Sequence, residues 1–155
     1  MITLAIPGRP TIQVSNVVLD YNGTIAFDGR ISPEVGLLIR QLAQACDVLV
    51  LTADTYGTAR RACAELGVEA RTFTSGAASG EKRAIVEGLR GVTASVGNGL
   101  NDIEMCDAAD FSIGVLDGEG ICPALISHVD ILARSSEEAL ALLLNTDRIR
   151  ATLRA

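Results

Sequence analysis

The residues best suited to chemistry stand directly after short apolar runs. Asp20 closes residues 16–20 (NVVLD), Thr52 follows residues 48–51 (VLVL), and the loop 97–102 (GNGLND) follows residues 92–96 (VTASV). β-branched runs of this kind fit strands buried on both faces of a parallel sheet. In such a sheet ligands bind beyond the carboxyl ends of the strands. A carboxylate, a hydroxyl and an amide-rich loop are therefore expected to converge there. Taken singly, each has a second reading. Asp20 can end a strand in an Asp-x-Asn-Gly turn, and Thr52 or Asp54 can cap the next helix. Lys82 can be a solvated helix charge, and Asn98, Asn101 and Asp102 can form a turn and an N-cap.

The elements that must position these residues follow from periodicity and punctuation. Residues 2–6 and 11–14 read as two short strands around the Pro7-Gly8-Arg9-Pro10 turn, forming an N-terminal β-hairpin. Residues 24–31 read as a second hairpin, with Asp28-Gly29 as its turn. Ser32-Pro33 opens a helix whose apolar stripe is Val35, Leu38, Ile39 and Leu42. Strand 48–51, helix 58–66 stopped by Gly67, and strand 68–73 come next. A helix over 81–89 has Ser79 as a possible cap and Gly91 as its stop. After strand 92–96, a helix begins near Asn101. Strand 111–115, a short helix over 121–126 and strand 129–132 lead to a Leu-rich helix ending near Leu144, with Ser135 and Glu138 as a capping box. Arg148, Arg150 and Arg154 read as a solvated helix end. The alternation predicts an α/β fold: a doubly wound, mostly parallel sheet in three α/β/α layers, as one domain over residues 1–155.

Four segments, in order, carry a family resemblance. Asp20-Tyr21-Asn22-Gly23-Thr24 resembles the first motif of the haloacid dehalogenase-like (HAD) superfamily, D-x-D-G-T, after a hydrophobic strand. Thr52 is similar to the hydroxyl of the second motif and Lys82, in EKRAIVEGL, to the lysine of the third. GNGLND resembles the fourth, G-D-x-x-N-D. Within the superfamily the chain resembles the phosphorylation domain of P-type ATPases, whose D-K-T-G-T also lacks the second Asp and whose lysine is likewise followed by I-V-x-x-L. The likeness covers roughly residues 16–145 and implies a HAD-like Rossmannoid core. The intervals between motifs are filled by the elements above, leaving no space for a cap or a nucleotide domain.

The resemblance implies phosphoryl chemistry with Mg²⁺ as cofactor. Asp20 would be the nucleophile, forming an aspartyl-phosphate. Lys82 would counter the charge of the transferring group, and Thr52, Ala53, Gly23 and Thr24 would hold its oxygens. Asp20, the carbonyl of Asn22, Asp102 and Asn98 would surround the metal. Two departures matter. Asn22 replaces the Asp that protonates the leaving group and then activates water, help worth roughly 10²–10⁴-fold. Asn98 replaces an acid near the metal. These imply weaker Mg²⁺ binding, slow turnover, a preference for good leaving groups and a long-lived phospho-enzyme. They also leave open a degenerate member that binds phosphate or a phosphorylated ligand without turnover, or an accessory protein.

Composition narrows the partners. The 155 residues are 48% hydrophobic and only 3% aromatic, so aliphatic side chains must fill the core. A net charge of −6 argues against nucleic-acid or anionic-membrane binding. Cys46, Cys63, Cys106 and Cys122 form no C-x-x-C pair and read as reduced, half-buried thiols of a cytosolic protein. MITLAIPGRP, without a basic start or a long apolar run, does not read as a signal peptide. An open site suits a phosphorylated small molecule or a phosphoprotein, or a homo-oligomer that covers it. Tyr21 and Tyr56 are expected to be partly buried, and His128 lies far from every motif.

Overall fold

The computed structural model describes residues 1–54, 57–73 and 75–154. Seven strands make one sheet: β1 (Ile2–Leu4), β2 (Ile12–Asp20), β3 (Asp47–Thr52), β4 (Glu69–Thr72), β5 (Val92–Gly97), β6 (Phe111–Val115) and β7 (Ile131–Ala133). The order is β4-β3-β2-β5-β6-β7, and every pair along it is parallel. β1 alone runs antiparallel, pairing Ile2 with Val14 and Leu4 with Ile12. The two strands expected over 11–14 and 16–20 are one. A register shift between Val14 and Asn16 absorbs Ser15, so β2 serves β1 with its first third and β3 with the rest.

Among the described residues six helices cover the two faces: α1 (Pro33–Ala45), α2 (Thr58–Leu66), α3 (Ala78–Glu87), α4 (Ile103–Ala108), α5 (Ser136–Leu144) and α6 (Thr146–Leu153). Ile39 and Leu42 of α1, Cys63 of α2, Leu140 and Leu143 of α5 and Ile149 of α6 share one core with Val17, Leu19 and Ile113 of the sheet. Val86 of α3 and Met105 and Cys106 of α4 pack with Val18 and Leu51 on the other face. The doubly wound, three-layer architecture is as expected, and no cap domain interrupts the described residues.

Several local details differ from expectation. Residues 24–31 form only isolated bridges. Phe27 and Arg30 exchange both backbone hydrogen bonds across Asp28 and Gly29, both at positive φ as a type I′ turn requires. α3 starts at Ala78, after a 3₁₀ turn, so Ser79 lies inside its first turn; the cap at its end is Gly88 rather than Gly91. Ser135 caps α5 by accepting the Glu138 N–H at 3.1 Å. The Glu138 carboxylate goes to the Arg134 N–H and guanidinium instead of completing the box. The arginine-rich end is itself a helix, α6, anchored by Ile149.

Cys63 and Cys106 are fully buried rather than half-buried. Burial pushes their thiols up to about 11 and about 12, which makes them inert. No helix among the described residues is long and apolar enough to cross a membrane. Leu140→Ala empties a fully buried position of α5 in the larger core. Urea unfolding is expected to show a loss of about 2–5 kcal/mol, and a loss below about 1 kcal/mol would mean that α5 is not packed as described.

Candidate active site

The C-terminal ends of β2, β3, β5 and β6 build the site. Past Asp20 the chain turns sharply: the Tyr21 N–H reaches the Leu51 carbonyl, and the Ile25 and Ala26 N–H groups return to the Tyr21 carbonyl. Gly23, at φ 78°, makes this turn possible, and a Cβ there would lie 2.4 Å from Asn98 Nδ2 and 2.7 Å from Glu119 Oε2. The Gly23 N–H is donated to the Ala26 carbonyl, so its expected phosphate contact is already engaged within the turn. The Asn22 N–H is not used in that ladder. Thr24 is likewise turned inward. Its hydroxyl lies 3.0 Å from Asp20 Oδ2 and 3.1 Å from Asn98 Oδ1, and its carbonyl accepts the Ser136 hydroxyl at the head of α5.

Lys82, fully buried on α3, reaches under the sheet ends. Its ammonium donates to Asp20 Oδ1 at 2.7 Å and to Asp102 Oδ1 at 2.6 Å, with the Phe73 ring centroid 4.9 Å away. Asp102 Oδ2 accepts the Asn98 and Gly99 N–H groups at 2.9 and 2.8 Å. Gly97 permits this approach, since a Cβ there would meet the Asp102 carboxylate at 2.7 Å. Asp102 thus holds Lys82 with one oxygen and the Asn98 loop with the other. Asp102 Oδ1 accepts only from Lys82 among these contacts, so it keeps acceptor capacity.

Asn98 turns its amide the other way. Oδ1 faces Thr24, and Nδ2 donates to the Gly120 carbonyl at 3.2 Å. Thr52 is 1% exposed at the end of β3, and its hydroxyl is the one buried side-chain polar atom without a protein partner among the described residues. A buried donor left open is costly unless a ligand takes it. A cavity of about 220 Å³ opens beside it, lined by Asn22, Ala53, Asp54 and Tyr21 among others. Asn22 is exposed at this mouth. Asp54 both lines it and accepts the Arg60 N–H in the first turn of α2 at 3.1 Å, while the N-cap position itself is Gly57.

Tyr21 is buried rather than half-buried and donates its hydroxyl to the Gly29 carbonyl. Tyr56 lies outside the described residues. His128 pairs with Asp107, away from the site. Glu119, on the turn after β6, and Ser136 also reach the site, though no sequence motif marked them. The signal for Glu119 was available: Asp117-Gly118-Glu119-Gly120 follows another buried strand at the same end of the sheet.

Burial, with Asp102 close by, raises the Asp20 carboxyl to about 7 despite Lys82 and Thr24. The two carboxylates raise Lys82 against its burial, so the ammonium stays charged. The oxygens gathered at this strand end are those of the Asp20 and Asp102 carboxylates around Lys82 and of the Asn98 amide on Thr24, with Asn22 exposed at the mouth. No three His, Cys, Asp or Glu side chains cluster as a metal site among the described residues. This hard, all-oxygen set fits Mg²⁺, which takes one or two carboxylates and keeps waters, better than it fits zinc.

Against solved structures the chain aligns with the cobalt-bound deoxy-D-mannose-octulosonate 8-phosphate phosphatase of Haemophilus influenzae. The TM-score is 0.72 with 18% identity, over 92% of this chain and 94% of that one. The chain has a HAD-like fold. The HAD-like core also matches the 3-deoxy-D-manno-octulosonate 8-phosphate phosphatase of Moraxella catarrhalis, solved with magnesium, phosphate and KDO, at TM-score 0.70 and 18% identity over 91% and 94% of the two chains. A zinc-transporting PIB-type ATPase matches at TM-score 0.62 and 23% identity, over 79% of this chain but only 20% of the pump. An uncharacterized protein of Methanocaldococcus jannaschii is 40% identical over 60 residues, 39% of this chain and 64% of that protein, so the match spans less than two thirds of that relative. No family model matches.

A carboxyl raised by folding from 3.8 to about 7 binds more protons in the native state between those values. Its contribution to stability is therefore present below about pH 4 and lost as pH rises to about 7. In chelator, Asp20→Asn is expected to flatten this decline and to be more stable than the parent at about pH 8. Denaturant unfolding across this pH range checks this, and parallel curves for the two proteins would contradict it.

Proposed function

We propose that this chain is a Mg²⁺-dependent phosphoryl hydrolase or transferase that works through an aspartyl-phosphate on Asp20. The single observation behind this reading is the pairing of Asp20, ion-paired to buried Lys82, with the unpartnered buried hydroxyl of Thr52 across the same sheet end. In the proposed reaction an Asp20 oxygen attacks phosphorus as the bond to the leaving oxygen breaks. Lys82 balances charge on the phosphoryl group, and Thr52 hydrogen-bonds one of its oxygens. Mg²⁺, held by Asp20, the Asn22 carbonyl, Asn98 and Asp102, would supply further charge neutralisation. Water then attacks the aspartyl-phosphate, releasing phosphate and restoring Asp20.

Asn22 sets the rate in this scheme. Its amide neither protonates the leaving oxygen nor takes a proton from water, so solvent must do both. Aryl and acyl phosphates, or ATP, are the favoured substrates, and the open mouth admits a phosphorylated small molecule or a phosphoprotein. The exposed amide of Asn22 also favours a second reading, phosphate binding without turnover.

Steady-state release from an aryl phosphate separates the two. Slow Mg²⁺-dependent hydrolysis is expected, lost in Asp20→Asn and raised roughly 10²-fold in Asn22→Asp. Equal rates for the parent and Asp20→Asn would overturn the hydrolase reading. Phosphate binding with no turnover in any variant would support the second.

A further inference from the structure

Glu119 is not among the four motifs, yet its carboxylate stands over the first of them. The turn that carries it is fixed on three sides. Asp117 accepts the Gly118 N–H with one oxygen and the Ser136 N–H of α5 with the other, and the Gly120 N–H closes on the Asp117 carbonyl. The return limb holds the Asn98 residue twice, through the Gly120 carbonyl to its Nδ2 and through the Cys122 N–H to its backbone carbonyl. On the third side Glu119 Oε1 accepts the Asp28 N–H of the small hairpin at 3.3 Å. Oε2 is left on the Gly23 face, where Asn98 Nδ2 also lies.

This arrangement gives Asn98 a physical reason. Its Nδ2 points at an acceptor, the Gly120 carbonyl, with the Glu119 carboxylate over the same face of Gly23. An aspartate at 98 would turn a charged oxygen toward both. We infer that Glu119 is the outer carboxylate of the cation site, holding a water of the Mg²⁺ shell and supplying the negative charge that Asn98 lacks. The inference rests on the proposed cation at Asp20 and deepens it. Mg²⁺ keeps several waters when bound, and carboxylates holding a metal's outer contacts are typically worth roughly 10–100-fold in affinity. The motif acid lost at position 98 is thus replaced from a different loop.

Calorimetric titration of Mg²⁺ into the metal-free protein tests this without any turnover. Glu119→Gln keeps an oxygen for the Asp28 N–H and removes only charge. It is expected to weaken Mg²⁺ roughly 10-fold with the melting temperature of the metal-free protein unchanged. Adding Asn98→Asp to Glu119→Gln is expected to restore part of the affinity, because the charge returns and the repulsion from Glu119 is gone, with the Gly120 carbonyl still opposed. Unchanged affinity in Glu119→Gln, with binding abolished by Asp20→Asn, would overturn the role of Glu119 and leave the cation at Asp20 standing. No Mg²⁺ binding by the parent would overturn both.

Discussion

One ammonium group, sealed from solvent between two carboxylates, organises this protein. Lys82 has no exposed surface, and Asp102 has none either. A buried charge left unpaired costs far more than it returns, so the chain must deliver Asp20, Lys82 and Asp102 to one point from β2, α3 and the turn after β5. The parallel sheet does this because β2 and β5 are neighbours with matched registers, Leu19 beside Val96. α3 then crosses the face where Val86 packs with Val18 and Leu51, which carries Lys82 beneath both strand ends.

The triad is unbalanced: two negative groups face one positive group. Burial first, and that imbalance second, keeps the Asp20 carboxyl raised, and the imbalance makes the mouth a place where added positive charge is favourable. It also divides the labour between the acids. Asp102, fixed by two backbone N–H groups, acts as a strut for the lysine. Asp20 keeps one oxygen on Lys82 and the other on a hydroxyl that a ligand can displace. Glu119 adds its charge from outside, on a turn anchored to α5 and to the hairpin.

The sheet and most helices were legible because their signals are local and redundant. The apolar runs of β3, β5 and β6, the Ser32-Pro33 start of α1 and the Gly67 stop of α2 each carry both periodicity and punctuation. α6 escaped because Thr146–Leu153 buries only Ile149 among charged residues, and the start of α3 was obscured by Ser79 and Gly80. In the site, the positions of Asp20, Thr52, Lys82 and Asn98 could be read from their order. The direction of each side chain could not. That Asp102 faces Lys82 depends on the close approach over Gly97, and that Glu119 reaches Gly23 depends on where the turn after β6 is tied. Both are tertiary facts with no period in the sequence.

The most direct measurement is the intact mass of the protein after acetyl phosphate and Mg²⁺ are added, with Asp20→Asn alongside. The account predicts a gain of one phosphoryl group, stable in acid, released by hydroxylamine and absent from Asp20→Asn. A parent protein that gains no phosphoryl group, or a variant that gains one equally well, would contradict it.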